Sequence, residues 1–172
     1  MRNSEKSKIV ESEKVREVLS MRAVILMGSK VDLNFCREIA DKLKIFGIES
    51  DLRIASAHKT PEHVLEILKS YEDEEVVFVT VAGRSNALSG FVDANTTKPV
   101  IASPPIGDKW IDLFSSIRMP SGVAPMLVLE AENVALAVAK IFAIREERIR
   151  NAVKEYQKRK KDEILKSDKE VG

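Results

Sequence analysis

Met21-Arg-Ala-Val-Ile-Leu-Met-Gly28 is a continuous apolar run closed by a glycine. Such a run suits a strand buried on both faces, as in a parallel sheet covered by helices. The chain on either side supports that reading. From Val31 to Phe46 the apolar residues Leu33, Cys36, Ile39, Ala40, Leu43 and Phe46 fall near helical spacing, and Gly47 is placed to end the helix. Residues 48–54 alternate, with Ile48, Leu52 and Ile54 on one side, and read as a second, partly exposed strand. Thr60-Pro61 opens another helix, because a proline at the first helical position sacrifices no hydrogen bond. Its buried stripe is expected to be Val64, Leu65, Leu68 and Tyr71. A third strand of the buried type spans 76–82, a short fourth 98–103 and a fifth 124–129. A helix over about 132–148 follows, and a highly charged helix closes the chain.

Strands alternating with helices imply parallel pairing through right-handed crossovers, which puts helices on both faces of the sheet. The expected architecture is therefore α/β, a three-layer doubly wound parallel sheet. Residues 1–20 read as a charged arm, 21–148 as one catalytic-sized domain, and 149–172 as a charged C-terminal helix that could meet another subunit. In such sheets ligands bind beyond the carboxyl ends of the strands, at the topological switch point. The segments of unusual composition do follow strand ends.

Composition excludes several classes. No apolar stretch approaches the ~20 residues that span a bilayer, and residues 1–20 mix Arg, Lys and Glu without a secretory apolar core. A lone cysteine, Cys36, excludes an internal disulfide framework and a multi-cysteine zinc site. A reduced, cytoplasmic, soluble protein without a membrane partner is expected. Residues 21–144 hold 13 basic and 16 acidic side chains, whereas the excess of positive charge lies in 145–172. Nucleic-acid binding needs a basic groove, so nucleic acid is not expected as a partner.

Three loops carry candidate chemistry. After the first strand, Gly28-Ser29-Lys30-Val31-Asp32 leads into a helix whose start offers unpaired N–H groups to a phosphate. Ser29 and Asp32 also fit a capping box that stabilises the helix and nothing more. The segment lacks both the Walker pattern and GxGxxG, so neither ATP nor a dinucleotide is indicated. After the second strand, Ser56-Ala57-His58-Lys59-Thr60-Pro61 crowds an imidazole, an ammonium and two hydroxyls at a helix mouth. Histidine, with an ordinary pKa of ~6.5, can take and return a proton near neutrality; the bland alternative is a histidine that caps or packs. His63, the only other histidine, reads as a surface or packing residue, and no metal site is expected. After the third strand, residues 82–90 place small residues at both ends of Arg84, Ser85 and Asn86, which suits an anionic or carbonyl-rich guest. Residues 103–105 and 115–122 read as scaffold or subunit contacts.

Taken in order, these segments resemble the phosphoribosylaminoimidazole carboxylase family of purine biosynthesis, often called PurE. The likeness covers about residues 22–145. It rests on Gly28-Ser29 with Asp32, on residues 56–61, on the glycine-bounded loop 83–90, on Asn95-Thr96-Thr97 with Pro99-Val100-Ile101, and on Ser116-Ile117-Arg118-Met119-Pro120-Ser121-Gly122. Each fragment is modest alone; together, in this order, they are specific. The mutase branch of the family reads SAHRTP and AGGAAHLPG, and the branch that takes CO2 directly reads SAHK and AGRSN. This chain has Ser56-Ala57-His58-Lys59 and Ala82-Gly83-Arg84-Ser85-Asn86, with Ala87 where the mutase loop has a second histidine. It also has Val31 where the family's GSxSD pattern has a serine.

The resemblance implies a flavodoxin-like fold and carboxylation of aminoimidazole ribonucleotide at C4 by CO2, with no cofactor. It implies that Ser29, Asp32, Ser56 and Lys59 hold the ribonucleotide. Gly83, Arg84 and Ser85 then line the base and carboxyl end, His58 shuttles the proton, and residues 83–90 form a closing loop. Homo-octamers are the expected assembly. The other readings are an N5-carboxyaminoimidazole ribonucleotide mutase and a flavodoxin-like nucleotide-binding or regulatory module.

Overall fold

A computed structural model describes residues 21–105 and 110–171. The charged arm expected at 1–20 lies outside the described residues. Among those described, five parallel strands form one sheet: β1 (Arg22–Met27), β2 (Glu49–Ile54), β3 (Val76–Val81), β4 (Val100–Ala102) and β5 (Met126–Leu127). The helices are α1 (Leu33–Lys44), α2 (Pro61–Ser70), α3 (Ala87–Ala94), α4 (Phe114–Ile117), α5 (Ala131–Phe142) and α6 (Glu147–Val171), with short 3₁₀ turns at Lys30–Asp32 and Trp110–Leu113. The strand order β2-β1-β3-β4-β5 is the flavodoxin-like arrangement expected.

The apolar run of β1 is buried on both faces because successive side chains point oppositely. Ala23, Ile25 and Met27 enter one core with Val77, Val79 and Val81, beneath α1, α5 and the start of α6. Val24 and Leu26 enter the other with Phe78 and Val100, beneath α2 and α3. Each large aliphatic side chain buried this way stabilises the fold by ~1.5–3 kcal/mol. The edge strand β2 is only half covered, and its Asp51 takes an ion pair from Arg22 at 3.0 Å and a hydrogen bond from the Tyr71 hydroxyl at 2.9 Å.

Four details differ from the sequence reading. Residues 87–90, read as part of the loop 83–90, open helix α3. In α2 the buried stripe is Val64, Ile67 and Leu68, while Leu65 faces outward with 43 % of its surface exposed. Ile54, at the end of the edge strand, is likewise exposed rather than sharing the burial of Ile48. The long helix over 132–148 is broken: α5 ends at Phe142 and α6 begins at Glu147. The first turns of α6 belong to the core, with Ile149, Val153 and Tyr156 buried and the Tyr156 ring 5.2 Å from that of Phe46. Beyond Tyr156 the helix is charged and largely exposed.

Candidate active site

The chain leaves β1 for β2 on one side and returns to β3 on the other, so the switch point lies between the carboxyl ends of β1 and β3. There the loops after β1, β2 and β3 enclose a cavity of about 520 Å³. Ser29, Asp32, Ser56, His58, Lys59, Gly83, Arg84 and Ser85 all line it, together with Val31 and Asn86. The eight residues singled out from the sequence thus share one cavity, although they span 57 positions of chain from Ser29 to Ser85.

Each loop is shaped locally. Gly28 donates its N–H to Val81 C=O at 2.9 Å, and a Cβ built on it would lie 3.3 Å from the Ala82 Cβ. Glycine lets the first and third loops approach. Ser29 Oγ accepts the Val31 N–H at 3.4 Å, whereas the Asp32 side chain caps no helix amide. The reciprocal capping box is therefore not formed, and the Asp32 carboxylate is left to the cavity. Burial raises its pKa above the ordinary carboxylate value.

The second loop is a tight turn closed on Ser56. The amides of Lys59 and Thr60 donate to Ser56 C=O at 3.2 and 2.8 Å, and Thr60 Oγ1 accepts the Ser56 N–H at 3.1 Å. His58 and Lys59 stand exposed on that turn, while His63 sits further along α2 with its Nδ1 3.2 Å from Glu66 Oε2.

The third loop is held from beneath by Asp112 and by the start of the 115–122 segment expected to be scaffold. Arg84 has a positive φ of 58°, a left-handed conformation that costs an L residue ~1–2 kcal/mol. Its N–H donates to Asp112 Oδ2 at 2.7 Å, and its C=O accepts from Ser115 Oγ at 3.0 Å. Asn86 is buried and caps α3: its Oδ1 accepts from the Ser89 hydroxyl at 2.9 Å and the Ser89 N–H at 3.4 Å. Of the residues 83–90 expected to form a closing loop, Ala87 to Gly90 are helical and Ser89 is wholly buried, so only 83–86 are loop. Ser115 and Ser116 lie in the segment expected to be scaffold, whereas Asp112, which meets the loop across 28 residues, is not singled out by the sequence.

With Lys59 and Arg84 against Asp32, the cavity's charged lining has a positive excess, suited to a phosphorylated ligand. Among the described residues no group of three or more His, Cys, Asp or Glu is placed to hold a metal ion, and no helix is long and apolar enough to cross a membrane.

Comparison with known proteins agrees with this fold. A phosphoribosylaminoimidazole carboxylase of Archaeoglobus fulgidus is 69 % identical over 153 residues, covering 88 % of this chain and 85 % of that protein. An N5-carboxyaminoimidazole ribonucleotide mutase of Methanocaldococcus jannaschii is 40 % identical over 153 residues, covering 86 % and 95 %. The crystal structure of Treponema denticola PurE superposes with a TM-score of 0.85 at 46 % identity, covering 88 % of this chain and 98 % of that one. The model of the AIR carboxylase family matches residues 22–163, from the start of β1 into the last helix, and the chain belongs to that family.

Proposed function

We propose that this protein is the direct, class II carboxylase: it reversibly joins CO2 to C4 of 5-aminoimidazole ribonucleotide, without ATP, in purine biosynthesis. The observation that carries this reading is the third loop, Gly83-Arg84-Ser85-Asn86-Ala87, lining the same cavity as His58 and Lys59. A carboxyl-transferring mutase of the family has a second histidine in that loop, and here Ala87 takes its place. The relative at 69 % identity carries the carboxylase name.

Aminoimidazole is an enamine, so C4 is nucleophilic without activation. Its electron pair forms the bond to the CO2 carbon, and one C=O pair moves onto oxygen to give a carboxylate. C4 then bears both hydrogen and the new group. His58 takes that proton, and the C–H pair restores the aromatic ring. In reverse, the imidazolium returns the proton to C4 and CO2 leaves. Acid–base help of this kind supplies ~10²–10⁴-fold, and holding CO2 against C4 adds a proximity term. Ser29, Asp32, Ser56 and Lys59 hold the ribonucleotide, while Gly83, Arg84 and Ser85 face the base and the forming carboxylate. Closure of the loop around 83–86 excludes water.

The same reading includes a homo-octamer in the cytoplasm. It divides the chain into an N-terminal arm at 1–20, a catalytic domain at 21–148 and a charged helix at 149–172, whose exposed stretch beyond Tyr156 docks on a neighbouring copy. Exposed Ile111, Phe114, Ile117, Ile164 and Leu165 support such contacts.

The test is an assay of purified protein with aminoimidazole ribonucleotide and bicarbonate, without ATP, beside one with the N5-carboxy compound. Turnover of the first pair is expected. Faster use of the N5-carboxy compound makes the protein a mutase, and turnover of neither leaves a binding module.

A further inference from the structure

We infer that Asp112 is a positioning residue for this reaction, setting the shape of the third loop by fixing the backbone of Arg84; the inference rests on the function proposed above. Arg84 is a bulky residue in left-handed backbone (φ 58°), a state that persists only where the surroundings over-determine it. Here one segment grips both its polar backbone groups. Asp112 Oδ2 accepts its N–H at 2.7 Å, a short bond to a carboxylate, and Ser115 Oγ donates to its C=O at 3.0 Å. The single Ser115 hydroxyl proton is shared between the Arg84 C=O and the Asp112 C=O, the latter at 2.8 Å, so the Asp112 carboxylate is the stronger of the two grips. A Cβ built on Gly83 would stand 3.7 Å from Asp112 Oδ2, which places the carboxylate against the Gly83–Arg84 peptide. The torsions at Arg84 decide where the peptides of Gly83 and Ser85 face, and both residues line the cavity. Asp112 is not among the lining residues, so its influence runs through Arg84 and not through contact with substrate.

The experiment compares Asp112→Ala, which removes the acceptor, with Asp112→Asn, which keeps an oxygen at the same reach. Backbone hydrogen exchange of the peptide holding residues 82–86 is read together with kcat and KM for aminoimidazole ribonucleotide, normalised to folded protein by circular dichroism. In Asp112→Ala, exchange at this peptide rises at least tenfold and kcat falls at least tenfold. KM stays within about threefold, because the phosphate grip lies on the other loops. Asp112→Asn restores both readouts to within about threefold of wild type. Unchanged exchange in Asp112→Ala overturns the anchoring. Faster exchange with normal kcat, or a fall in kcat matched by lost folded protein, overturns the positioning role. A wild-type enzyme that turns over neither substrate overturns the proposed function instead, a result that these variants cannot mimic.

Discussion

Asn86 Nδ2 donates to Ser116 Oγ at 2.8 Å, joining two buried residues thirty positions apart beneath the third loop. The bond continues a buried chain, because Asn86 Oδ1 accepts from Ser89 Oγ and Thr80 Oγ1 lies 2.9 Å from that same hydroxyl. The base of the loop is thus tied to β3, to α3 and to α4 at once, while its tip at Arg84 and Ser85 remains exposed.

Truncating that residue tests how much the chain contributes. Asn86→Ala removes the α3 cap, at ~1 kcal/mol, and leaves buried hydroxyls of Ser89 and Ser116 short of a partner, at ~1–3 kcal/mol. A total loss of about 2–4 kcal/mol is expected, read as a lower urea midpoint at unchanged slope. A loss below about 0.5 kcal/mol would show that water or relaxation replaces the network.

Cys36 supplies a prediction about alkaline pH. Burial, and then the charge of Asp32, push its thiol up from 9.0 to about 12. The folded state therefore holds this proton more tightly than the unfolded chain does. Its contribution to stability is intact below pH 9 and is lost as pH rises from 9 towards 12. One proton of linkage amounts at most to about 1.4 kcal/mol per pH unit. Thermal melts from pH 8 to 11 should fall more steeply for wild type than for Cys36→Ala. Equal slopes would place the alkaline sensitivity elsewhere. Iodoacetamide should likewise label Cys36 at neutral pH only after unfolding, since the thiolate is the nucleophile.

How far the sequence revealed this molecule depends on the range of each interaction. β1 and α1 were legible because their burial is written in local periodicity, and Gly47 because its φ of 66° demands glycine. The loop residues of the cavity were legible because the fold places strand ends together and their residue types are unusual. α3 was not. Ala87-Leu-Ser-Gly-Phe-Val-Asp-Ala94 has good helix formers only in Ala87, Leu88 and Ala94, while Ser89, Gly90, Phe91, Val92 and Asp93 favour a helix less, and its helix depends on the Asn86 cap and on Leu88 and Val92 packing against the sheet. Leu65 and Ile67 were exchanged because two residues of helical phase separate a buried face from an open one. Asp112 left no local signal at all, as its meaning lies in a backbone amide 28 residues earlier.

Asp32, a ligand contact in the proposed function, is placed where its charge opposes stability. Burial raises its carboxyl pKa, so the fold favours the protonated form. That preference helps below the unfolded pKa and is lost as pH rises through the folded one; at pH 7 the ionised group is a burden. Asp32→Asn should melt higher than wild type at pH 7, with the gap closing as pH falls below the carboxylate range. Its affinity for aminoimidazole ribonucleotide should fall about 10- to 100-fold, as loss of a charged hydrogen bond implies. Thermal melts and calorimetric titration read the two effects separately. A variant no more stable than wild type at neutral pH would remove burial as the cause, and unchanged affinity would remove Asp32 from the ligand grip.

His58 bears the chemical step in the proposed mechanism, and its surroundings make a clean substitution feasible. It stands exposed on a turn whose hydrogen bonds run among Ser56, Lys59 and Thr60, so replacing its side chain breaks none of them. His58→Asn should therefore fold as wild type does and bind the ribonucleotide within about tenfold. Its kcat should fall by ~10²–10⁴-fold, the range of lost acid–base help. The same variant should lose exchange of the C4 proton of aminoimidazole ribonucleotide with solvent deuterium, since that exchange needs a group that protonates C4 and then removes a proton from it, and no CO2. Retained exchange with lost turnover would assign His58 to the handling of CO2, and normal turnover would take the imidazole out of the mechanism.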